Sequence, residues 1–323
     1  MRKPIVILVC TMLLSSIFMM AVGPGDNAGG KFVGVRIDAP TPQYLEVWTD
    51  SALWPSSPGL GWATDQTPTF KWLFSQYTRS WRIYVNGISV SYNSMASGPE
   101  GETYTWQESL ATGSYDWDIE VEYEISPGMW QWAMYNGPDF GVDVTAPNAP
   151  IVAESHCGGS TTVDPPWTTH TSPYFTWANP GDAGSGVSYY QVQVYRNFGL
   201  LLDWSPVNSG WHPECDTGTY WFDFRSVDNV GLAGSSYTIY IRIDDSAPPA
   251  PSVTETHCLT LWTTHNSPYF TWIPVMDYGF PYSSGINRYE VSVNGGGWET
   301  VAPAWHPTYT TGQYSFVFRT VDN

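Results

Sequence analysis

The chain has 323 residues, 42% hydrophobic, 16% aromatic and 13% charged, with 30 acidic against 12 basic side chains and a formal charge of −18. A surface of that sign repels phosphate backbones and argues against nucleic acid as a partner. The 18 Trp, 21 Tyr and 13 Phe argue against a disordered, solvated chain.

Arg2 and Lys3 precede an uncharged, mostly apolar run from Ile5 to Val22 that includes Cys10. This is the pattern of a secretory signal over residues 1–23. The run is also just long enough to remain as a membrane anchor. Either outcome predicts that everything after about residue 24 is secreted or on the cell surface. Cys10 has no lipobox around it. Residues 24–40 then hold a strand and linker, with Phe32 to Asp38 resembling Ile239 to Asp244.

Internal repeats organise the rest. Pro173-Tyr174-Phe175-Thr176-Trp177 recurs as Pro268-Tyr269-Phe270-Thr271-Trp272, with a fainter copy at Pro68 to Trp72. Arg225-Ser226-Val227-Asp228-Asn229 recurs as Arg319 to Asn323, and Thr-Gly-x-Tyr ends at Tyr115, Tyr220 and Tyr314. Two Pro-rich linkers match, Thr145 to Pro150 and Ser246 to Pro251. The spacing, about 100 residues, suits one small β-sandwich per repeat. The units fall at 41–145, which is divergent, 146–246 and 247–323. Tyr189 to Tyr195, Tyr220 to Val227 and Tyr237 to Ile243 alternate with period two, as half-buried strands do. Asp182 to Gly186 and Asn294 to Gly297 read as turns. No amphipathic helix follows the signal, so the fold class is all-β.

The second and third units resemble the fibronectin type III or bacterial immunoglobulin-like repeats of secreted prokaryotic surface proteins. The resemblance rests on Trp72, Trp177 and Trp272 on an early strand and on the Ser-Gly-Val or Ser-Gly-Ile turn before a Tyr-rich strand. It rests also on Gly-x-Tyr followed by Arg-x-Val-Asp-Asn. It implies tandem sandwiches with the three Trp in their cores. Tyr115, Tyr220 and Tyr314 would then be corner residues whose hydroxyls bond back to the chain. In phase, the third unit lacks the counterpart of Tyr237 to Ile243, and Phe32 to Ile37 reads like such a strand; the plainer account is a piece of a longer tandem array.

No nucleophile elbow, zinc-protease helix, phosphate loop or dinucleotide fingerprint is present. The reading is therefore non-catalytic, with no required cofactor. Four constellations are candidates for binding. First, six histidines and two cysteines sit at matching places in two repeats: His156, Cys157, His170 and His212, and His257, Cys258, His265 and His306. Three imidazoles and a thiolate suit Zn²⁺ or Cu²⁺ where they converge; the alternative is common descent with local turn roles. Second, Asp143, Asp228, Asp244 and Asp245 gather near the joints. Ca²⁺ takes oxygen ligands, whereas the plainer reading is Asp in ordinary turns. Third, Trp48, Trp54, Trp62, Trp130, Trp132, Trp204 and Trp298 fall outside the core patterns. Of these, Trp130 and Trp132 are the better candidates for an aromatic face. Fourth, in an oxidising compartment Cys157 and Cys215 can form a disulfide; Cys258 has Tyr309 where a partner would stand.

The expected function is adhesion, ligand binding or a surface stalk, with a protein or carbohydrate partner at the cell exterior. One alternative is the accessory region of a secreted polysaccharide- or protein-degrading enzyme. The other is a filament subunit, in which the N-terminal strand of one copy completes the third sandwich of the next by donor-strand exchange.

Overall fold

The structure is a computed structural model that describes residues 39–49, 52–55, 61–75, 78–93, 102–105, 109–260 and 262–323. The signal or anchor segment and the strand expected at Phe32 to Ile37 lie outside the described residues. Within them the chain is all-β, with 22 strands and no helix. Three hydrophobic cores follow one another along the sequence.

Around the first core lie β1 (Pro42–Trp48), β2 (Gly61–Ala63), β3 (Thr69–Phe74), β4 (Thr78–Val85), β5 (Ile88–Asn93), β6 (Glu102–Thr105), β7 (Gly113–Tyr115), β8 (Trp117–Ser126), β9 (Met129–Asn136) and β10 (Phe140–Val142). They form sheets ordered β1-β3-β6, β2-β10-β7 and β5-β4-β8-β9. Rings from different sheets meet between them: Trp72 and Trp81 stand 5.0 Å apart, Phe70 and Trp117 4.8 Å.

The second stretch holds β11 (Val152–Glu154), β12 (Trp167–Thr168), β13 (Phe175–Trp177), β14 (Val187–Arg196), β15 (Gly199–Val207), β16 (Gly218–Asp228) and β17 (Tyr237–Ile243). The pair β11-β13 faces the sheet β12-β17-β16-β14-β15. Alternation fills the space between: Tyr220, Phe222 and Phe224 of β16 and Ile239, Ile241 and Ile243 of β17 are all buried. Each such side chain contributes about 1.5–3 kcal/mol by leaving water.

The third stretch has β18 (Thr254–Glu255), β19 (Phe270–Thr271), β20 (Ile286–Val293), β21 (Trp298–Val301) and β22 (Phe316–Asp322), in sheets β18-β19 and β21-β20-β22. It repeats the second core ring by ring. Phe175 stacks on Trp211 at 5.6 Å and 23°, and Phe270 on Trp305 at 5.5 Å and 23°. One difference is at the sheet edge. Where β16 lies between β14 and β17, β22 pairs with β20 and is an edge strand. Phe316 and Phe318 are correspondingly only half-buried, whereas Phe222 and Phe224 are buried.

The equivalent Trp positions are buried, with 2%, 9% and 7% exposure at Trp72, Trp177 and Trp272. The three corner tyrosines donate their hydroxyls to the carbonyl four residues upstream: Tyr115 to Ala111, Tyr220 to Asp216 and Tyr314 to Thr310. Two-residue hairpins recur too, with positive φ at both Asn86-Gly87 and Asn294-Gly295. Such turns match strand twist and favour Asn-Gly. In the second stretch the same position holds Asn197-Phe198, with φ of 51° and 67°.

Candidate metal centre and ligand-facing surfaces

The linker after β10 carries Asp143, which is fully buried. Its Oδ1 accepts from the Thr145 amide at 3.1 Å, and its Oδ2 from the Ser185 amide of the next unit at 2.7 Å. A Cβ at Gly184 would stand 2.3 Å from the Asp143 carboxyl carbon, so glycine lets the linker carboxylate seat against that loop. Asp182, in the same loop, accepts from the Gly184 and Gly186 amides through Oδ2, while its buried Oδ1 has no hydrogen-bond partner. Asp228, 2% exposed at the end of β16, accepts from Val230 and Leu232 through Oδ1, and its buried Oδ2 also has no partner.

The three carboxylates each offer an oxygen, and these lie within 4.8 Å of one another. Among the described residues none of the ion pairs involves them. Two like charges at that distance repel by on the order of 3–4 kcal/mol at an effective dielectric constant of ~20. Burial, and then the Asp143 charge, push the Asp228 carboxyl above the usual carboxylate range, against the pull of its loop amides. The arrangement is an all-oxygen donor set with lone pairs to spare.

The linker after β17 repeats the pattern. Asp244 is 4% exposed and accepts from the Ser284 amide at 2.7 Å, as Asp143 does from Ser185. Asp277 is 5% exposed; its Oδ2 accepts from Gly285, and its buried Oδ1 has no partner. Burial, then the Asp244 charge, raise its pKa. Asp245 is a correction to the sequence reading: it is exposed and takes the Thr217 hydroxyl instead, because Asp244 alone occupies the position of Asp143. The sequence shows Asp182 only as a turn residue and does not single out Asp277. The signal was their shared place ahead of the Ser-Gly that precedes β14 and β20.

The histidines and cysteines behave differently. His156 and His212 meet edge to face at 5.2 Å, and His156 stacks on Tyr174 at 5.3 Å. Nδ1–H of His156 and Nε2–H of His212 both donate to the Ser172 carbonyl, at 3.3 and 3.0 Å. The third repeat matches, with His257 and His306 at 5.1 Å, His257 and His265 at 6.3 Å, and His306 donating to Ser267. The Cys157 thiol donates to the His170 carbonyl at 3.2 Å. Burial, then the Glu154 charge, push its pKa up to about 11. These ligand atoms do not gather as the expectation required: among the described residues the grouped ligands are Asp143, Asp182 and Asp228.

A residue the sequence reading missed explains why the loop recurs. The Glu154 carboxylate accepts the amides of His156, Cys157, Gly159 and Tyr174. Glu255 does the same for His257, Cys258 and Tyr269. The expected Cys157–Cys215 bridge is not formed; both are buried free thiols. In the third repeat Tyr309 donates its amide to Asn266 as Cys215 does to Thr171, and its ring packs on Tyr314 at 4.4 Å.

The surplus tryptophans have local partners. Arg79 lies over Trp130 at 4.3 Å and Arg82 over Trp132 at 5.1 Å, their guanidinium groups paired with Glu122 and Glu120. Arg225 covers Trp204 and Arg319 covers Trp298, each at 3.9 Å. Lys71 sits over Trp48, Trp54 is buried in the first core, and Trp62 packs on Gly141. A more open aromatic surface occurs at Phe198, although Arg242 lies over Trp167 at 5.4 Å and Tyr195 stacks on Trp221 at 4.8 Å. A cavity of about 270 Å³ between the second and third stretches is lined by Trp167, Phe198, Trp221, Tyr240, Arg242 and Tyr282, among others. Phe198 is 74% exposed at its strained hairpin tip, 5.5 Å from Trp221 and 6.1 Å from Tyr282.

No protein-family model matches this chain, and no curated protein matches it either.

Proposed function

We propose that the chain is an extracellular, non-catalytic array of three β-sandwiches similar to fibronectin type III or bacterial immunoglobulin-like repeats. It acts as a stalk that presents a ligand-binding face. The observation that carries this reading is the pair of joints. Asp143 and Asp244 each end one unit and accept an amide from the same loop of the next, so successive units are coupled in series by one repeated device. Chemistry-bearing groups elsewhere serve structure: the histidine rings and Glu154 bind backbone groups, and the Cys157 thiol is buried with a raised pKa. The face most suited to a partner is the aromatic cleft by Phe198, whose ring is largely exposed, rather than Trp130 and Trp132, whose rings carry Arg79 and Arg82. Flat rings flanked by a guanidinium and hydroxyls suit a sugar or an extended peptide.

Stretching the purified chain between its ends tests the array. Three separate unfolding events are expected, each releasing on the order of 30 nm at ~3.5 Å per residue. A single cooperative event would overturn the reading, and so would turnover of a polysaccharide or protein substrate by the same preparation.

A further inference from the structure

The two joints leave the same kind of atoms unsatisfied. At the first, Asp182 Oδ1 and Asp228 Oδ2 are buried without a partner beside Asp143, and the Ser185 hydroxyl in the same loop is buried without one. At the second, Asp277 Oδ1 and the hydroxyls of Ser283 and Ser284 are in that position, beside Asp244. Buried acceptors without donors are rare in folded proteins and call for an ion or water. A carboxylate oxygen accepts only, so among small bound species a cation answers the charge as well as the lone pairs.

The second joint carries the counterparts by register, but among the described residues Asp244, Asp277 and Asp322 do not draw their carboxylates together as the first set does. Asp322 pairs across the sheet with Ile286 as Asp228 pairs with Val187. The next residue repeats too: Asn323 donates its side-chain amide to the Ser284 and Gly285 carbonyls, as Asn229 does to Ser185 and Gly186. The loops differ in length, with Asp182 four residues and Asp277 eight residues from the glycine whose amide each binds. The device has therefore been kept through an insertion.

We infer that the first joint binds one Ca²⁺, held by Asp143, Asp182 and Asp228, and that this ion stiffens the array. The inference deepens the reading of the chain as a series of sandwiches and rests on it. The donor chemistry selects the ion. Every ligand is a hard oxygen, and no His or Cys joins the set, which disfavours Zn²⁺ and Cu²⁺. Irregular loops supplying carboxylates and hydroxyls suit Ca²⁺, which accepts six to eight ligands in flexible geometry, better than Mg²⁺, which demands a regular octahedron. The ion would bridge a linker carboxylate from one unit to two carboxylates of the next, so its binding energy would act on the angle between units.

The test uses the full chain stripped with a chelator. Titration with Ca²⁺ alone, followed by calorimetry, is expected to show one ion per chain, with no comparable uptake of Mg²⁺. Asp182→Asn with Asp228→Asn is expected to remove it. The melting temperature supplies a signature that a purely structural role would not give. Without Ca²⁺ the Asn variant should melt higher than the parent, because like charges have been removed; with saturating Ca²⁺ it should melt lower. Absence of Ca²⁺ uptake at millimolar concentration would overturn the inference, as would an Asn variant that melts lower in both conditions. Three separate unfolding events in a chain that takes up no Ca²⁺ would leave the array reading standing and remove the ion alone.

Discussion

Replacing Glu154 by Ala should selectively unfold the second unit. The half-buried carboxylate accepts from four backbone amides, those of His156 at 2.7 Å, Cys157 at 2.9 and 3.0 Å, Gly159 at 2.8 Å and Tyr174 at 3.2 Å. The His156 amide is exposed and can turn to water; the other three are partly buried. A buried donor left without an acceptor costs about 1–3 kcal/mol. Taking the low end for partly buried groups gives a loss of about 3 kcal/mol. For a unit of roughly 100 residues that is a drop of about 12–24 °C in melting temperature. Differential scanning calorimetry of the whole chain resolves this, because only one transition should move. Glu154→Gln keeps one carbonyl oxygen and should lose about half as much. A loss below ~0.5 kcal/mol, or an equal shift of all transitions, would refute the idea that this carboxylate organises the His-Cys loop.

Three further outcomes are expected. Burial pushes the Glu255 pKa up, but the amides of His257, Tyr269 and Cys258 outweigh it and hold it below its ordinary 4.5. The stability this contributes is present above pH 4.5 and lost as pH falls through the folded value, so Glu255→Gln should flatten the acid limb of the third transition in pH-dependent melts. With burial pushing Cys157 up to about 11 and Cys215 up to about 12, each has at least a hundredfold less thiolate at pH 8 than an ordinary thiol. Burial and then the Glu255 charge raise Cys258 as well, but its thiol is less enclosed than the other two, so mass spectrometry after alkylation of the native chain should find Cys258 modified first of the three. Tyr220→Phe removes the hydroxyl bond to the Asp216 carbonyl at 3.0 Å and should cost about 1 kcal/mol in chemical denaturation, with the m-value unchanged.

Residues that repeat with a fixed neighbour were readable from the chain. Phe-x-Trp located the buried Trp177 and Trp272, and Thr-Gly-x-Tyr located the corner hydroxyls, because both roles depend on local spacing along one strand. The joint carboxylates were only half readable. Asp143, Asp228 and Asp244 stand out beside linkers, whereas Asp182 and Asp277 are the lone acids of ordinary Gly- and Ser-containing loops. Convergence at the first joint comes from the sheet register between β14 and β16. The surplus Trp misled for a related reason. Arg79 and Trp130 belong to β4 and β9, which do not pair directly with each other but flank β8, so one-dimensional spacing does not show that the ring is already covered.

The sequence offers two metal candidates, the repeated histidines and cysteines for Zn²⁺ or Cu²⁺ and the aspartates near the joints for Ca²⁺. Hydrogen bonding separates them. His156 and His212 each commit a nitrogen to one carbonyl, His156 stacks on a tyrosine, and the Cys157 thiol has its own acceptor. That set is locally satisfied, so its persistence through two repeats is accounted for by the loop it builds around Glu154. The aspartates satisfy the chain with one oxygen each and leave another buried and unanswered at Asp182, Asp228 and Asp277. A repeated cluster kept only for folding would have no reason to hold that excess of negative charge in the dry part of a joint, since Asn at one position would accept the same amides without the repulsion. The unanswered oxygens are what distinguish a binding site from a scaffold here. The melting temperatures of the Asn variant with and without Ca²⁺ measure that distinction directly.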